Sequence, residues 1–461
     1  MHTLRSWWQD KLLRGIVKNS GYLFSSNSAA MVLSIFQGIL AARLLGIERF
    51  GILSATVIPF VSNVHRFLSF RMSELVVKYM GQFLVQGKND RAAAIVKGAA
   101  LVEAATAVVG YLVLLGLTPL AAQYLAKDPA TQPLFILYGL ILLSNAFFET
   151  STGILQVNRL FKKIALVNFF QSLITAGLIL FAFLSQGGLL AVLVAYLVGK
   201  TFAGLTISIL AARHVGRLLG PGWWRAPLSL LPGWRELGRF AISTNLQGTV
   251  NLIARDSETL LITFFRSPVE AGYFKIAQSV INLVLMPIEP FIATTYAEIS
   301  KTISQRQWLQ THRLLKRVSL ISAAWTITAG GFIGALGWWL IPFLYGSEYG
   351  PAYPAFLILL VGYGFANIFH WNRPLLLALG RPAYPLKVAA IGAFVKTGLG
   401  FVFVSAFGYL FEAALLSAFF LFSIGATVWN GLGEVKRNAV QEAGLPSHLS
   451  IPESEPGAGR S

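Results

Sequence analysis

The chain has 461 residues, 55% of them hydrophobic and 12% charged, with a mean hydropathy of +0.64. A soluble domain carries about twice that charged fraction, so the sequence reads as a polytopic, all-α membrane protein. The absence of cysteine excludes disulfides, thiolate metal sites and a cysteine nucleophile. The formal charge of +18, which in a soluble chain would point to nucleic acid, must be explained by where the Lys and Arg lie.

Residues 1–19 form a basic, amphipathic lead, with Trp7 and Trp8 beside Arg5, Lys11, Arg14 and Lys18. That density of rings and cations suits an interfacial helix in the headgroup layer, and no small-residue cleavage site marks a signal peptide. Twelve apolar segments follow, near 20–42, 50–70, 92–117, 132–156, 161–184, 187–210, 238–263, 270–295, 314–340, 353–379, 384–406 and 409–430. Each is long enough to cross a hydrocarbon core of about 30 Å. The expected organisation is an N-terminal six-helix lobe (20–210), an interfacial linker (211–237), a C-terminal six-helix lobe (238–435) and a disordered polar tail (436–461). The linker carries Trp223, Trp224 and Trp234 among Pro and Arg, and a partner-docking surface is the alternative use for it.

With the N-terminus in the cytoplasm, 26 of the 37 Lys and Arg fall on the inside, 4 on the outside and 7 within spans. This is the positive-inside asymmetry, and it places both termini in the cytoplasm. It also accounts for the charge: the basic loops face anionic lipid, with no nucleic-acid partner required.

The chain repeats itself. Gly51, in LLGIERFGIL, and Gly272, in FFRSPVEAGYF, open the second and eighth spans 221 residues apart; Arg159 and Arg381 close the fourth and tenth with an offset of 222. Six spans per half is an even number, so the halves share an orientation and any central site lies between two parallel lobes.

Polar residues inside the spans concentrate in the opening pair of each half. In the seventh span Thr244, Gln247, Asn251, Arg255 and Glu258 recur at steps of three and four, one helical face, with Asp256 widening it. A charge at mid-membrane costs roughly 2.5–3.5 kcal/mol, against about −0.3 to −0.6 for a Leu or Ile. The span is therefore expected to face a wet cavity or a paired partner; the plainer alternative is that Arg255 and Glu258, one turn apart, neutralise each other. The eighth span adds Lys275, Gln278, Asn282 and Glu289, with Pro287 and Pro290 expected to kink it. The second span offers Ser54, Ser62, His65 and Ser69 flanked by Asn63 and Arg66, and the first offers Asn27, Ser34 and Gln37. Helix-joining hydrogen bonds are the competing use of these groups. Glu103, Glu149, Lys200 and Lys396 stand singly, with paired and cavity-facing roles open, while Lys97 and Arg373 lie near enough to the cytoplasmic face to snorkel.

No Walker A sequence, zincin helix or EF-hand loop occurs, the six histidines lack ligand spacing, and no loop has room for a soluble catalytic domain. The expectation is a non-enzyme without metal or cofactor. A membrane glycosyltransferase or polymerase would need a catalytic cluster in a sizeable outside loop. A cavity lined by Arg66, Arg255 and Lys275 suits an anionic solute, phosphate or pyrophosphate above all, because Arg offers a bidentate fork.

ARLLGIERFGILS (42–54) and ARDSETLLITFFRSPVEAGYFKIAQ (254–278) resemble patterns of the O-antigen (Wzx-like) polysaccharide flippases of the multidrug/oligosaccharidyl-lipid/polysaccharide exporter superfamily. The matching residues are Arg43, Leu44, Leu45, Gly46, Phe50 and Gly51, then Asp256, Leu260, Ile262, Phe265, Gly272, Tyr273 and Ala277; Pro268 and Val269 depart from the family's Leu-Gly. The resemblance spans roughly residues 15–435. It implies a two-lobed bundle in a bacterial inner membrane that moves an undecaprenyl-pyrophosphate-linked oligosaccharide outward by alternating access. On that basis Arg66, Arg255, Lys275, Asn251, Gln278 and Asn282 are expected to bind substrate. Asp256, Glu258 and Glu289 are candidates for coupling to H+ or Na+. Membrane lipid and the lipid-linked anionic sugar precursor are the expected partners, with contact to a polysaccharide polymerase or glycosyltransferases also open. The alternative is an ion-driven multidrug or metabolite exporter of the related branch.

Overall fold

A computed structural model describes the backbone of residues 11–444, and side chains from Ser28 onward apart from the last residues and a few in the seventh and eighth spans. The described residues are helical throughout, with no strand. In chain order the α-helices are α1 Lys11–Phe50, α2 Ile58–Leu68, α3 Met72–Val85, α4 Asn89–Leu120, α5 Gln132–Ser144, α6 Phe148–Val157, α7 Phe161–Leu184, α8 Leu189–Leu218, α9 Trp234–Asn251, α10 Glu258–Phe265, α11 Pro268–Leu285, α12 Glu289–Ser304, α13 Trp308–Tyr345, α14 Ala352–Ile368, α15 Asn372–Ala378 and α16 Ala383–Gly444.

Eight stretches of the described residues are long and apolar enough to cross a membrane. Two of them, Ser28–Val85 and Ala383–Gln441, run for 58 and 59 residues. At 1.5 Å per residue each would extend about 87 Å if straight, nearly three times a bilayer core. They fold back instead at glycines in left-handed backbone, Gly46 (φ 71°) and Gly408 (φ 69°). The runs 234–265 and 268–304, richer in polar residues, complete a twelve-span bundle. Phe181, Leu184, Phe332, Trp338, Phe394 and Trp429 are among the many large apolar side chains left exposed on its outside, as a lipid-facing belt requires.

Several spans are broken. The second is interrupted at Ser69–Arg71, the fourth at Asn145–Phe147, the eighth at Met286–Ile288 and the tenth at Phe369–Trp371. The breaks thus fall in the same spans of each half. In the eighth span Pro287 and Pro290 remove successive backbone donors, and the expected kink is a full break between α11 and α12. Two further irregularities are π turns, Gly51–Val57 before α2 and Leu252–Asp256 before α10.

The halves meet tightly at the end of the bundle away from the Lys- and Arg-rich loops. There α11 packs on α1 and on the π turn that begins at Gly51, while within the first half α1 packs along α7, where Gln37 Nε2 donates to the Ser172 carbonyl (2.9 Å).

Two expectations change at the termini. α1 continues unbroken from Lys11 into the first span, so residues 11–19 are not a separate interfacial helix, while residues 1–10 lie outside the described ones. α16 continues to Gly444, so residues 436–444, expected in a disordered tail, are helical: EVKRNAVQEAG offers no helix breaker before its glycine, and 445–461 lie outside the described residues.

Candidate functional site

A cavity of about 800 Å³ lies toward the end of the bundle that carries the basic loops. Its walls come from the second, fourth, fifth, sixth and seventh spans and include His65, Arg66, Glu149, Lys200, Arg255 and Asp256. The break in the second span supplies one wall. Ser69 is extended and Arg71 left-handed, so side chains alternate there: Ser69, Arg71 and Ser73 turn into the cavity, and Phe70 and Met72 turn away. Asn245 of α9 donates its amide to the Ser69 carbonyl and fixes that wall against the other half of the chain.

The fourth-span break supplies another wall. Its four leading N–H groups on α6 lack helical partners, and Glu103 of α4, buried at 6% exposure, accepts from the Glu149 and Thr150 amides at 2.7 and 2.9 Å. A carboxylate at a helix N-terminus is also favoured by the helix dipole. Glu149 in turn accepts from Ser73 Oγ and stands on the cavity surface.

Of the residues singled out from sequence, Arg66, Arg255 and Asp256 line this cavity. Arg66 pairs with Asp256 at 2.6 Å across the two halves, and Asn63 Nδ2 donates to the Asp256 carbonyl (3.2 Å). Arg71 pairs with Glu74 (3.2 Å). Arg255 lies over the Phe420 ring at 5.4 Å, and neither it nor Lys200 has an ion-pair partner among the described residues. Lys275 does not line the cavity; it sits in the field of Asp256, Glu258 and Arg66. Gln278 and Asn282 are likewise absent from the cavity wall. The side chains of Asn251 and Glu289 lie outside the described residues, as do those of Thr244, Gln247 and Asn27. The first-span Gln37 is tied to Ser172 and takes no part in the cavity.

The Arg255–Glu258 pairing, the plainer alternative from sequence, is absent. The π turn at Leu252–Asp256 packs more residues into a turn and so narrows the angle between successive residues, and Arg255 and Asp256 face the cavity while Glu258 turns into the packed interior. There Glu258 (1% exposed) pairs with Lys396 (3%), which also lies 3.3 Å from Glu412 (0%). Lys396, an isolated charge in sequence, is thus the centre of a buried acid–base–acid triad. Lys97 likewise has a specific use: its ammonium donates to the Ala226 carbonyl (3.0 Å) and pins the linker to α4.

The motif residues at the closed end have structural work. Arg43 donates to the Leu344 carbonyl (2.7 Å) and to that of Phe343; Ile47 N–H donates to Glu348 Oε1 (3.1 Å) and Tyr349 OH to the Ala42 carbonyl (3.0 Å). Ser267 caps α11 by accepting from Glu270 N–H (3.2 Å), which places Pro268 at its start, where proline is favoured. The Pro268 backbone lies directly against Gly51, and Gly272 packs on Ile47 and Gly51. The glycines 221 residues apart in sequence therefore meet in space. Sequence reasoning left a cavity-facing role open for Glu149 and Lys200, which the cavity wall includes, and missed Asn145, Asn168 and Gln171 beside them. Their signal was present as isolated polar residues in apolar runs, but nothing in the spacing joined them.

Comparison with known proteins places this geometry. Solved structures with the same fold include an inward-facing multidrug resistance MATE family transporter of the MOP superfamily (TM-score 0.68, 12% identity, 90% of this chain and 96% of that one). The lipid II flippase MurJ in an inward closed conformation matches at TM-score 0.68 and 14% identity over 91% and 90%. The outward-facing MATE transporter fits less well, at 0.56. Among curated proteins, the inner membrane protein YghQ of Escherichia coli (strain K12) is 25% identical over 358 residues, covering 76% of this chain and 98% of its own. The sequence model of the polysaccharide biosynthesis protein family matches residues 39–354. The chain is an all-helical, multi-pass membrane protein that shares the fold of these transporters, and it belongs to the polysaccharide biosynthesis protein family.

Proposed function

We propose that the protein is a flippase for an undecaprenyl-pyrophosphate-linked oligosaccharide, carrying it from the inner to the outer leaflet of a bacterial plasma membrane for surface polysaccharide synthesis. The observation that carries this reading is the cavity's cationic surplus: four cations and three acids line it, and with Arg66–Asp256 and Arg71–Glu74 paired, Arg255 and Lys200 stand against Glu149 alone. Uncompensated cations in a low-dielectric site bind phosphate oxygens strongly, Arg by a bidentate fork and Lys as a point charge. The volume, about 800 Å³, is within the usual range for a site that encloses a small ligand.

Both termini are taken as cytoplasmic from the Lys and Arg distribution. On that orientation the cavity opens to the cytoplasm and the Gly51–Pro268 contact closes the outside, so the substrate loads from the inner leaflet. The two lobes, 20–210 and 238–435, would rock about the linker in alternating access. Arg66 and Arg255 would hold the pyrophosphate or acidic sugars, with Lys275, Gln278, Asn282 and Asn251 reached on the opposite swing. The acids Asp256, Glu258 and Glu289 are the candidates for coupling to H+ or Na+.

The test is replacement of Arg255 by Ala in a strain that depends on this protein. Surface polysaccharide is expected to fall severalfold while the protein remains in the membrane at normal levels. Undiminished polysaccharide would remove Arg255 from the mechanism. Export of a cationic dye by cells expressing the chain, with surface glycans unchanged by its loss, would instead establish a drug exporter.

A further inference from the structure

Beside the cationic cavity lies a second hollow of different chemistry. It is a groove of about 240 Å³ between α3 and α4 on one side and the linker and α9 on the other. Phe70, Met72, Leu75, Ile95, Val102 and Leu231 give it a hydrocarbon lining, and Gly98 and Gly238 leave it wide. It sits in the half of the bundle that carries the basic loops, the same half as the cavity.

Two walls are common to groove and cavity. At the second-span break, alternate side chains serve each: Ser69, Arg71 and Ser73 the cavity, Phe70 and Met72 the groove. On α9, Gly238, Ala241 and Asn245 follow one another at steps of three and four on a single helical face. The first two line the groove and the third the cavity, so that face runs from one to the other. A ligand held by both must carry an anionic end joined directly to a long hydrocarbon chain.

We infer that this groove is the binding site for the polyprenyl chain of the lipid-linked substrate, near its phosphate, while the anionic head occupies the cavity. The inference rests on the flippase reading. Charge decides which end goes where, since the groove offers no donor to a phosphate and the cavity offers Arg and Lys. Holding chain and head side by side on shared walls lets the protein select amphiphiles whose head is small enough to leave the bilayer surface. A common phospholipid could place its acyl chains nearby but lacks the single chain directly on a phosphate.

The chain's lack of native cysteine makes the test direct. Val102→Cys reports on the groove and Ser62→Cys on the cavity, each labelled by a small thiol reagent in phosphatidylcholine nanodiscs. Undecaprenyl phosphate is expected to slow labelling at both positions at least fivefold. Geranyl phosphate, with its short chain, is expected to slow Ser62→Cys alone, and phosphatidylglycerol neither. Protection of Ser62→Cys but not of Val102→Cys by undecaprenyl phosphate would overturn the groove assignment and leave the flippase reading intact. Equal protection of Val102→Cys by phosphatidylglycerol would make the groove an ordinary bilayer contact and overturn it as well. If no phosphate protects either cysteine, the flippase reading fails and the inference falls with it. A second variant reads the groove through the cavity. Gly98→Leu, whose new side chain must displace Leu231 at 3.2 Å, is expected to raise about tenfold the undecaprenyl phosphate needed to protect Ser62→Cys. The geranyl phosphate requirement should stay the same; equal shifts for both lipids would overturn the assignment.

Discussion

The Gly51–Pro268 contact allows a quantitative perturbation of the closed end. A Cβ at Gly51 would lie 2.0 Å from the Pro268 carbonyl oxygen and 2.6 Å from its carbon, both backbone atoms that cannot rotate away. Reaching the 3.4 Å of ordinary contact requires the two segments to part by about 1.4 Å. Overpacking of this kind costs about 1–3 kcal/mol. The penalty applies only where the segments touch, so Gly51→Ala should shift a closed-to-open equilibrium of this end by about 5- to 150-fold. The assay is thiol labelling of Ala271→Cys, a fully buried position at the same contact. Its labelling rate should rise by up to that factor in the Gly51→Ala background. Gly38→Ala is the control, since nothing lies within 4 Å of a Cβ there, and it should leave the rate unchanged. Equal rates in the two backgrounds, at equal yields of folded protein, would refute the idea that this contact seals the end.

The buried triad and the cavity pair should respond oppositely to loss of a partner. Lys396→Met strands Glu258 and Glu412 in the interior and is expected to destabilise the protein by about 3–5 kcal/mol, read as a large fall in melting temperature in detergent. Adding Glu258→Gln and Glu412→Gln should restore most of it, and a melting point untouched by Lys396→Met would mean the triad contributes nothing. Arg66 and Asp256, whose side chains are 57% and 44% exposed to the cavity, form a pair worth less than about 1 kcal/mol. Arg66→Ala and Asp256→Ala should therefore hardly move the melting temperature, and a drop like that of Lys396→Met would refute this assignment of strengths.

What the sequence disclosed and what it withheld divide along the range of the interactions. Hydropathy runs, Lys and Arg placement and the 221-residue offset are properties of the chain itself, and they led to an all-helical, two-lobed membrane bundle. Pro287 and Pro290 marked the eighth-span break because a missing N–H is a local fact. The cavity is different. Its walls draw on the second, fourth, fifth, sixth and seventh spans, and no spacing along the chain relates Glu149 to Ser73 or Lys200 to Arg255. The same limit hid the partners of Glu258, since Lys396 lies 138 residues away. Even within one span the helical wheel failed beyond Arg255, because it assumes a constant angle per residue and the π turn does not keep one.

That π turn makes the seventh span unusually sensitive to length. Its wider ring accommodates one more residue per turn than the α-helix around it, so Leu252–Asp256 acts as a phase shifter between two stretches of ordinary helix. Adding a single residue at Ser257, just past the turn that already absorbs one, would leave the chain's composition almost untouched, yet rotate everything that follows by about 100°. Glu258 would leave Lys396 alone with Glu412, and the acid would move toward the face that now presents Arg255 and Asp256. A one-residue insertion here would thus act as a redistribution of charge between the interior and the cavity, much larger in effect than most point substitutions nearby.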